Sequence, residues 1–192
     1  MPSPVSNEGH SSPHFDLTTV LGVYRSQTPG VQGGDNGTLL LDLDNELQPD
    51  TFLRILPHYG GQSADRDDYI VGAPELVAEI TASTASYDVH DKLRAYRRNG
   101  VCEYVVWRVW DGEFDWFVLR QGTYVPLEPA SGGVYHSEIF PGLWLDTAAL
   151  LAGDLARAIA VVQQGLASSE HADFVARLQQ AHRPLPPEAP QP

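Results

Sequence analysis

The chain has 192 residues, enough for one domain with a buried core, and its 42% hydrophobic and 19% charged content is that of an ordinary globular protein. No apolar run approaches the roughly 18 residues of a membrane span, and the opening MPSPVSNEGHSSPHF lacks the basic and apolar regions of a signal peptide, so a cytoplasmic protein without membrane contact is expected. A net charge of -13 works against binding a polyanion unless basic side chains are concentrated where contact occurs.

Residues 1–14 are rich in Ser, Pro and His and are expected to be loose. Leu17, Val20, Leu21 and Tyr24 then recur at helical spacing, with Asp16 placed to cap the helix and Pro29-Gly30 to stop it. GGDNGTLLLDLDNELQPDTFLRILP reads as an antiparallel hairpin: a turn at 35–37, an apolar run, an acidic turn, and a second strand that starts at Asp50. The polar stretch PHYGGQSADRDDYIVG reads as a long loop. Its Asp65, Asp67 and Asp68 lack calcium-loop spacing and are expected to form a solvated turn.

PELVAEIT alternates as a strand, with Leu76, Ala78 and Ile80 on the core face and Glu75, Val77, Glu79 and Thr81 on the other. SYDVHDKLRAYRRNG follows as a helix, with Asp88 as N-cap, Val89, Leu93 and Tyr96 as its apolar stripe, and Asn99-Gly100 as its stop. Lys92 falls on the flank of that stripe, while Arg94 and Arg98 point away. CEYVVWRVW and EFDWFVLRQG form a hairpin about Asp111-Gly112, continued by TYVPLEP. The lone Cys102 excludes an internal disulfide and reads as a small buried hydrophobe. After HSEIFPGLWLD comes an Ala- and Leu-rich helical segment that breaks within 165–170, and a proline-rich tail starts at Arg183. Strands alternating with helices make the fold class a mixed α/β one. The domain expected over 15–155 is followed by a helical extension over 156–182 and the tail over 183–192.

Lys92 is the only lysine; every other one of the 12 Lys and Arg positions is arginine. It lies on the helix reached directly from the strand of Glu79, while Asp50 opens a neighbouring predicted strand. Two carboxylates and an ammonium so placed suit phosphodiester chemistry: the carboxylates to hold Mg²⁺, and the ammonium to steady charge on phosphorus or position the water. Lysine's compact charge serves that role better than arginine's broad fork. The bland alternative is a coding bias toward arginine with one chance survivor on a solvated face. Arg94, Arg97 and Arg98 on the same helix read either as a phosphate-facing patch or as a solvated face.

At these residues the chain resembles a known family. QPD, then PELVAEITAST..SYDVHDKLRAYRRNGVCEYVVW, and SEIFPGLWLD are similar to the Uma family of restriction-endonuclease-like proteins, a branch of the PD-(D/E)XK nuclease superfamily, over residues 15–155. The resemblance implies a restriction-endonuclease-like mixed sheet flanked by helices, with Asp50, Glu79 and the main-chain carbonyl of Ile80 as ligands of Mg²⁺, or of Mn²⁺ in its place. It puts Lys92 beside the attacking water and DNA in the role of substrate. Thr81 stands where the superfamily usually has lysine, and the helix supplies Lys92 instead. The family's common acidic first helix is missing, so a further acidic ligand stays open among Glu46, Glu75 and Asp16, with Glu75 expected to support the site or meet solvent. Tyr96 is expected to pack in the core or against the lysine stem. His90 and the other histidines read as exposed or satisfied, without HxxxH or similar ligand spacing. A homodimer is expected by analogy with nucleases of this size. The competing readings are a catalytically silent interaction module on a nuclease fold, without metal affinity at Asp50 and Glu79, and a paired-carboxylate hydrolase such as a glycosidase, indifferent to Lys92.

Overall fold

A computed structural model of the chain describes residues 7–42, 46–82, 87–130 and 132–184, and for 87–90 the backbone alone. The side chains of Asp88, Val89 and His90, and the tail from 185, lie outside the described residues.

The centre is a six-stranded sheet in the order β1, β4, β7, β8, β9, β10, formed by β1 (Val31–Asp35), β4 (Thr51–Ile55), β7 (Leu76–Thr81), β8 (Glu103–Arg108), β9 (Glu113–Arg120) and β10 (Thr123–Pro126). Every neighbouring pair is antiparallel except β7 and β8, whose parallel pairing requires a crossover. That crossover is α2 (Tyr87–Asn99), closed by Gly100 at φ +85, where glycine accepts the left-handed turn.

The alternation read in β7 decides the two layers. Leu76, Ala78 and Ile80 face a core shared with Leu17, Val20, Leu21 and Tyr24 of α1 (Ser12–Ser26), and this core extends to the C-terminal helices. Those helices are α3 (Thr147–Leu151), α4 (Leu155–Leu166) and α5 (Ser169–Ala181). Val77 faces the second core with Phe52, Tyr104, Val106 and Tyr96, under α2. Asp146, Asp154 and Ser168 cap the three C-terminal helices by accepting from the backbone N–H of the third residue of each helix. The break between α4 and α5 falls inside the expected window.

Three local expectations change. α1 begins at Ser12, with Ser11 at its N-cap position and a π-helical turn over Asn7–Ser11 before it, so Asp16 lies inside the helix and caps nothing. Pro13 has no N–H to give to the preceding turn, which fits an irregular start. The partner of β4 is β1, with Asp35 opposite Thr51, whereas the apolar run after the turn forms β2 (Leu39–Leu40) and pairs with β3 (Glu46–Leu47). The polar stretch after Pro57 is ordered too: β5 (Ala64–Arg66) and β6 (Tyr69–Val71) form a hairpin, and β6 joins β2 in a four-stranded sheet. Asp67 and Asp68 make its turn at φ 51 and 70, and Asp65 pairs with the buried guanidinium of Arg54. The Asp65–Arg54 pair ties this polar segment to β4, an anchor that period alone does not reveal. The remaining strands, β11 (Val134–His136) and β12 (Trp144–Asp146), form a hairpin leading into α3.

Candidate active site

The site forms where β4 begins and β7 ends. The β4–β7 ladder stops at the pair Thr51 and Ala78, so Asp50 and the last residues of β7 extend past it. Along β7 and the residue before it, the main-chain carbonyls of Glu75 and Thr81 point to the β8 side, where they accept from Glu103 and Val109 N–H at 2.8 and 2.9 Å. Ile80, one residue out of phase, therefore presents both N–H and C=O to the β4 side. Its N–H donates to Asp50 Oδ2 at 2.6 Å. Its carbonyl lies on the same edge, beyond the end of the ladder.

Glu79 projects from the opposite side-chain face toward α2. Its Oε2 accepts from Lys92 Nζ at 2.8 Å and its Oε1 from the Tyr96 hydroxyl at 2.7 Å. The side chain of Glu79 is 7% exposed, against 31% for Lys92 and 13% for Asp50. Burial raises the Glu79 carboxyl above its ordinary value, with the Asp50 charge adding to the rise; the Lys92 ammonium and the Tyr96 hydroxyl oppose it. Burial and the Glu79 charge likewise push the Tyr96 hydroxyl far up, so it stays a donor. The three residues that the sequence singled out, Asp50, Glu79 and Lys92, thus meet in one place. The lysine flank of α2 is what points at Glu79, and Tyr96, expected to pack in the core or against the lysine stem, also fixes Glu79.

The other candidates have separate environments. Glu75, at the start of β7, clasps the N–H groups of Ile55 and Gln62 at 2.8 and 3.0 Å. Glu46 is exposed on β3. Asp16 lines a cavity of 240 Å³ with Trp107 and Leu150, beside the α1 core, and burial raises its carboxyl. Thr81 closes β7, and its carbonyl is held by Val109. Arg94 lies 3.7 Å from Asp91, Arg98 lies 3.0 Å from Asp42, and Arg97 is exposed.

Two histidines enter that the sequence reading set aside. His10 Nε2 lies 3.1 Å from Asp50 Oδ1, and His14 Nε2 lies 2.7 Å from the Asp50 main-chain oxygen and 3.1 Å from Asp35. A carbonyl only accepts, so His14 must carry its proton on Nε2. The HxxxH spacing said to be missing is present at His10-Ser11-Ser12-Pro13-His14, and it was the usable signal. Among the described residues, no three His, Cys, Asp or Glu side chains gather as a ready metal cage.

The central mixed sheet with its α2 crossover and flanking helices is a restriction-endonuclease-like fold. In the solved structures it is similar to a protein from Anabaena variabilis ATCC 29413 described as "a putative nuclease belonging to DUF820", at TM-score 0.54 and 12% identity over 84% of this chain and 86% of that one. The family model described as "Uma2: Putative restriction endonuclease" matches residues 1–148, and the chain belongs to this family. None of the curated proteins matches it. Among the described residues no helix is long and apolar enough to cross a membrane.

Proposed function

We propose that this protein is a divalent-metal-dependent endonuclease that hydrolyses phosphodiester bonds in DNA. The observation that carries the reading is the meeting of Asp50, Glu79 and the lone Lys92 at the open end of the β4–β7 ladder. The family and neighbour descriptions, both of nucleases, support it.

The donor set fits a hard cation. Two carboxylates, mostly shielded from water, lie close enough to interact, one of them paired with the Lys92 ammonium, and the carbonyl of Ile80 shares the edge with Asp50. Asp50, Glu79 and Ile80 C=O would hold Mg²⁺ or Mn²⁺, which supplies the charge that polarises a phosphodiester and lowers the pKa of water. The chain's own groups do the rest. Tyr96 orients Glu79, and the Ile80 N–H orients Asp50. Lys92 positions the attacking water and balances the charge that builds on the phosphate oxygens as water adds in line and the 3′ oxygen departs. Arg97, with Arg94 and Arg98 exchanging Asp91 and Asp42 for phosphate, would contact the DNA backbone, since the overall charge of -13 needs local relief. Cutting both strands calls for two such sites, hence a homodimer acting in the cytoplasm; sedimentation showing only monomer at micromolar concentration counts against that part.

The test is nicking of supercoiled plasmid at low salt with Mg²⁺ or Mn²⁺, comparing the native chain with Lys92→Met and Asp50→Asn. Metal-dependent nicking lost in both variants is the expected result. Equal cutting by all three refutes the site. A protein that neither cuts nor binds metal is a catalytically silent nuclease-fold module.

A further inference from the structure

Asp50 stands one residue before β4, and its main-chain oxygen accepts from the N–H of Asn36, just after β1, at 3.2 Å and from His14 Nε2 at 2.7 Å. Its side chain is reached from the same N-terminal segment, by His10 of the π-helical turn over Asn7–Ser11. We propose that His10 is a positioning residue, whose N–H fixes the Asp50 carboxylate in the plane in which it meets a divalent cation, without itself touching the ion; this rests on the metal site described under the proposed function.

The two histidines divide their work by which atoms they reach. His14 Nε2 lies against the Asp50 carbonyl and, at 3.1 Å, the Asp35 carboxylate, so it fastens the start of α1 to the residue before β4. The turn ahead of α1 then carries His10 to the side chain, with Nε2 3.1 Å from Oδ1, and the two rings pack edge-on at 5.5 Å between centroids. Carbonyl and carboxylate oxygens only accept, so each Nε2 holds a proton and donates it. Neither of these nitrogens can bind a cation while so engaged; what His10 acts on is the carboxylate.

Two bonds do what one cannot. The Ile80 N–H takes Oδ2 at 2.6 Å, and that bond alone would let the carboxylate pivot about the held oxygen. A second donor on Oδ1 fixes its plane. Glu79 is fixed in the same way, by Lys92 on Oε2 and Tyr96 on Oε1. Each of the four oxygens thus has a donor, and because a carboxylate offers about four lone-pair positions, each keeps one for a cation. Groups that hydrogen-bond to metal-binding side chains hold them in the binding geometry, and losing such a group costs about 10–100-fold in affinity. His10 differs from the other three donors in its origin. The Ile80 N–H belongs to the sheet, and Lys92 and Tyr96 to α2, whereas His10 sits on a short turn and is 30% exposed, so it can be replaced without opening the core.

The experiment measures Mn²⁺ and Mg²⁺ affinity by calorimetry and stability by urea unfolding, on the full chain and its His10→Leu, His10→Gln and Asp50→Asn variants. Leucine keeps bulk and loses the donor, whereas the glutamine amide can still give an N–H to Asp50. The expected result is a loss of about tenfold or more in affinity for both ions in His10→Leu, with the urea midpoint close to native, and recovery of most of that affinity in His10→Gln. Native affinity in His10→Leu, tighter binding in that variant, or a loss in His10→Gln as large as in His10→Leu overturns the proposal while leaving the site intact. A loss of affinity that merely follows a loss of stability overturns it too, since His10 is then a structural contact. Mn²⁺ that binds Asp50→Asn as tightly as the native chain, or that does not bind the native chain at all, overturns the underlying metal site and the proposal with it.

Discussion

Replacing Lys92 with methionine deletes an ammonium and keeps the length of the stem, so packing along the α2 flank is nearly unchanged. What remains is the Glu79 carboxylate, 7% exposed, with the Tyr96 hydroxyl on one oxygen and the Asp50 charge close enough to raise its pKa. Removing one partner of a buried ion pair costs about 3–5 kcal/mol because the other charge is left uncompensated. Lys92 is itself 31% exposed, so water already screens part of the interaction, and the expected loss is about 1–3 kcal/mol. Glu79→Gln removes the stranded charge, so the double variant should recover at least about 1 kcal/mol of that loss. The assay is urea unfolding followed by tryptophan fluorescence in metal-free buffer, run on the native chain, both single variants and the double. A loss under about 0.5 kcal/mol in Lys92→Met, or a double variant that is additive within about 0.5 kcal/mol, refutes the reasoning. Lys92 would then be a solvated side chain that merely lies near Glu79.

Tyr96→Phe deletes a fully buried hydroxyl and the second hydrogen bond to Glu79; it should cost about 1–2 kcal/mol in the same urea assay and slow nicking without abolishing the fold. Glu103 is fully buried and accepts from the Ser137 hydroxyl and from the N–H groups of Glu138 and Ile139, and burial pushes its carboxyl up to about 7. Because its folded pKa exceeds the ordinary 4.5, its contribution is whole below about pH 4.5 and falls away as pH rises through about 7. Glu103→Gln, whose amide oxygen can keep both N–H bonds, should flatten the loss of stability between pH 5 and 8 that the native chain shows, by up to about 3 kcal/mol; parallel pH profiles for the two chains would refute this. Gly142 sits at φ +87, and a Cβ there would come 2.6 Å from His171 Cβ and 2.9 Å from the Gly165 carbonyl. Gly142→Ala should therefore cost about 2 kcal/mol or more and lower the melting temperature by roughly 4–8 °C. Gly112→Ala, at φ +66 with open space around it, should cost only about 1 kcal/mol.

Much of the frame was legible because it depends on local pattern. The alternation of 76–81 set which side chains face the α1 core and which face α2, and the structure divides them the same way. The Ala- and Leu-rich composition of the C-terminal segment gave its helices and the break near 165–170, where the structure places Ser168 as the cap of α5. Strand partners were less accessible. A hairpin reading joins neighbours in sequence, but 31–35 and 51–55 pair across an excursion that belongs to another sheet, and no local period encodes which of two apolar runs a strand will choose. The small sheet was hidden for a related reason: 64–66 is exposed along its whole length and has no apolar face to show.

By itself the sequence singled out Asp50 before a strand, Glu79 within one, and one lysine on the helix that follows. It could not determine what each atom touches. Tertiary structure decided that the Ile80 N–H takes one oxygen of Asp50, that Tyr96 and Lys92 divide the oxygens of Glu79, and that a segment 40 residues upstream sets His10 against the other Asp50 oxygen. The physical reason is range. Periodicity and capping act over a few residues, whereas the partners of a carboxylate are chosen by whichever distant segments the packed sheet brings within about 3 Å of it.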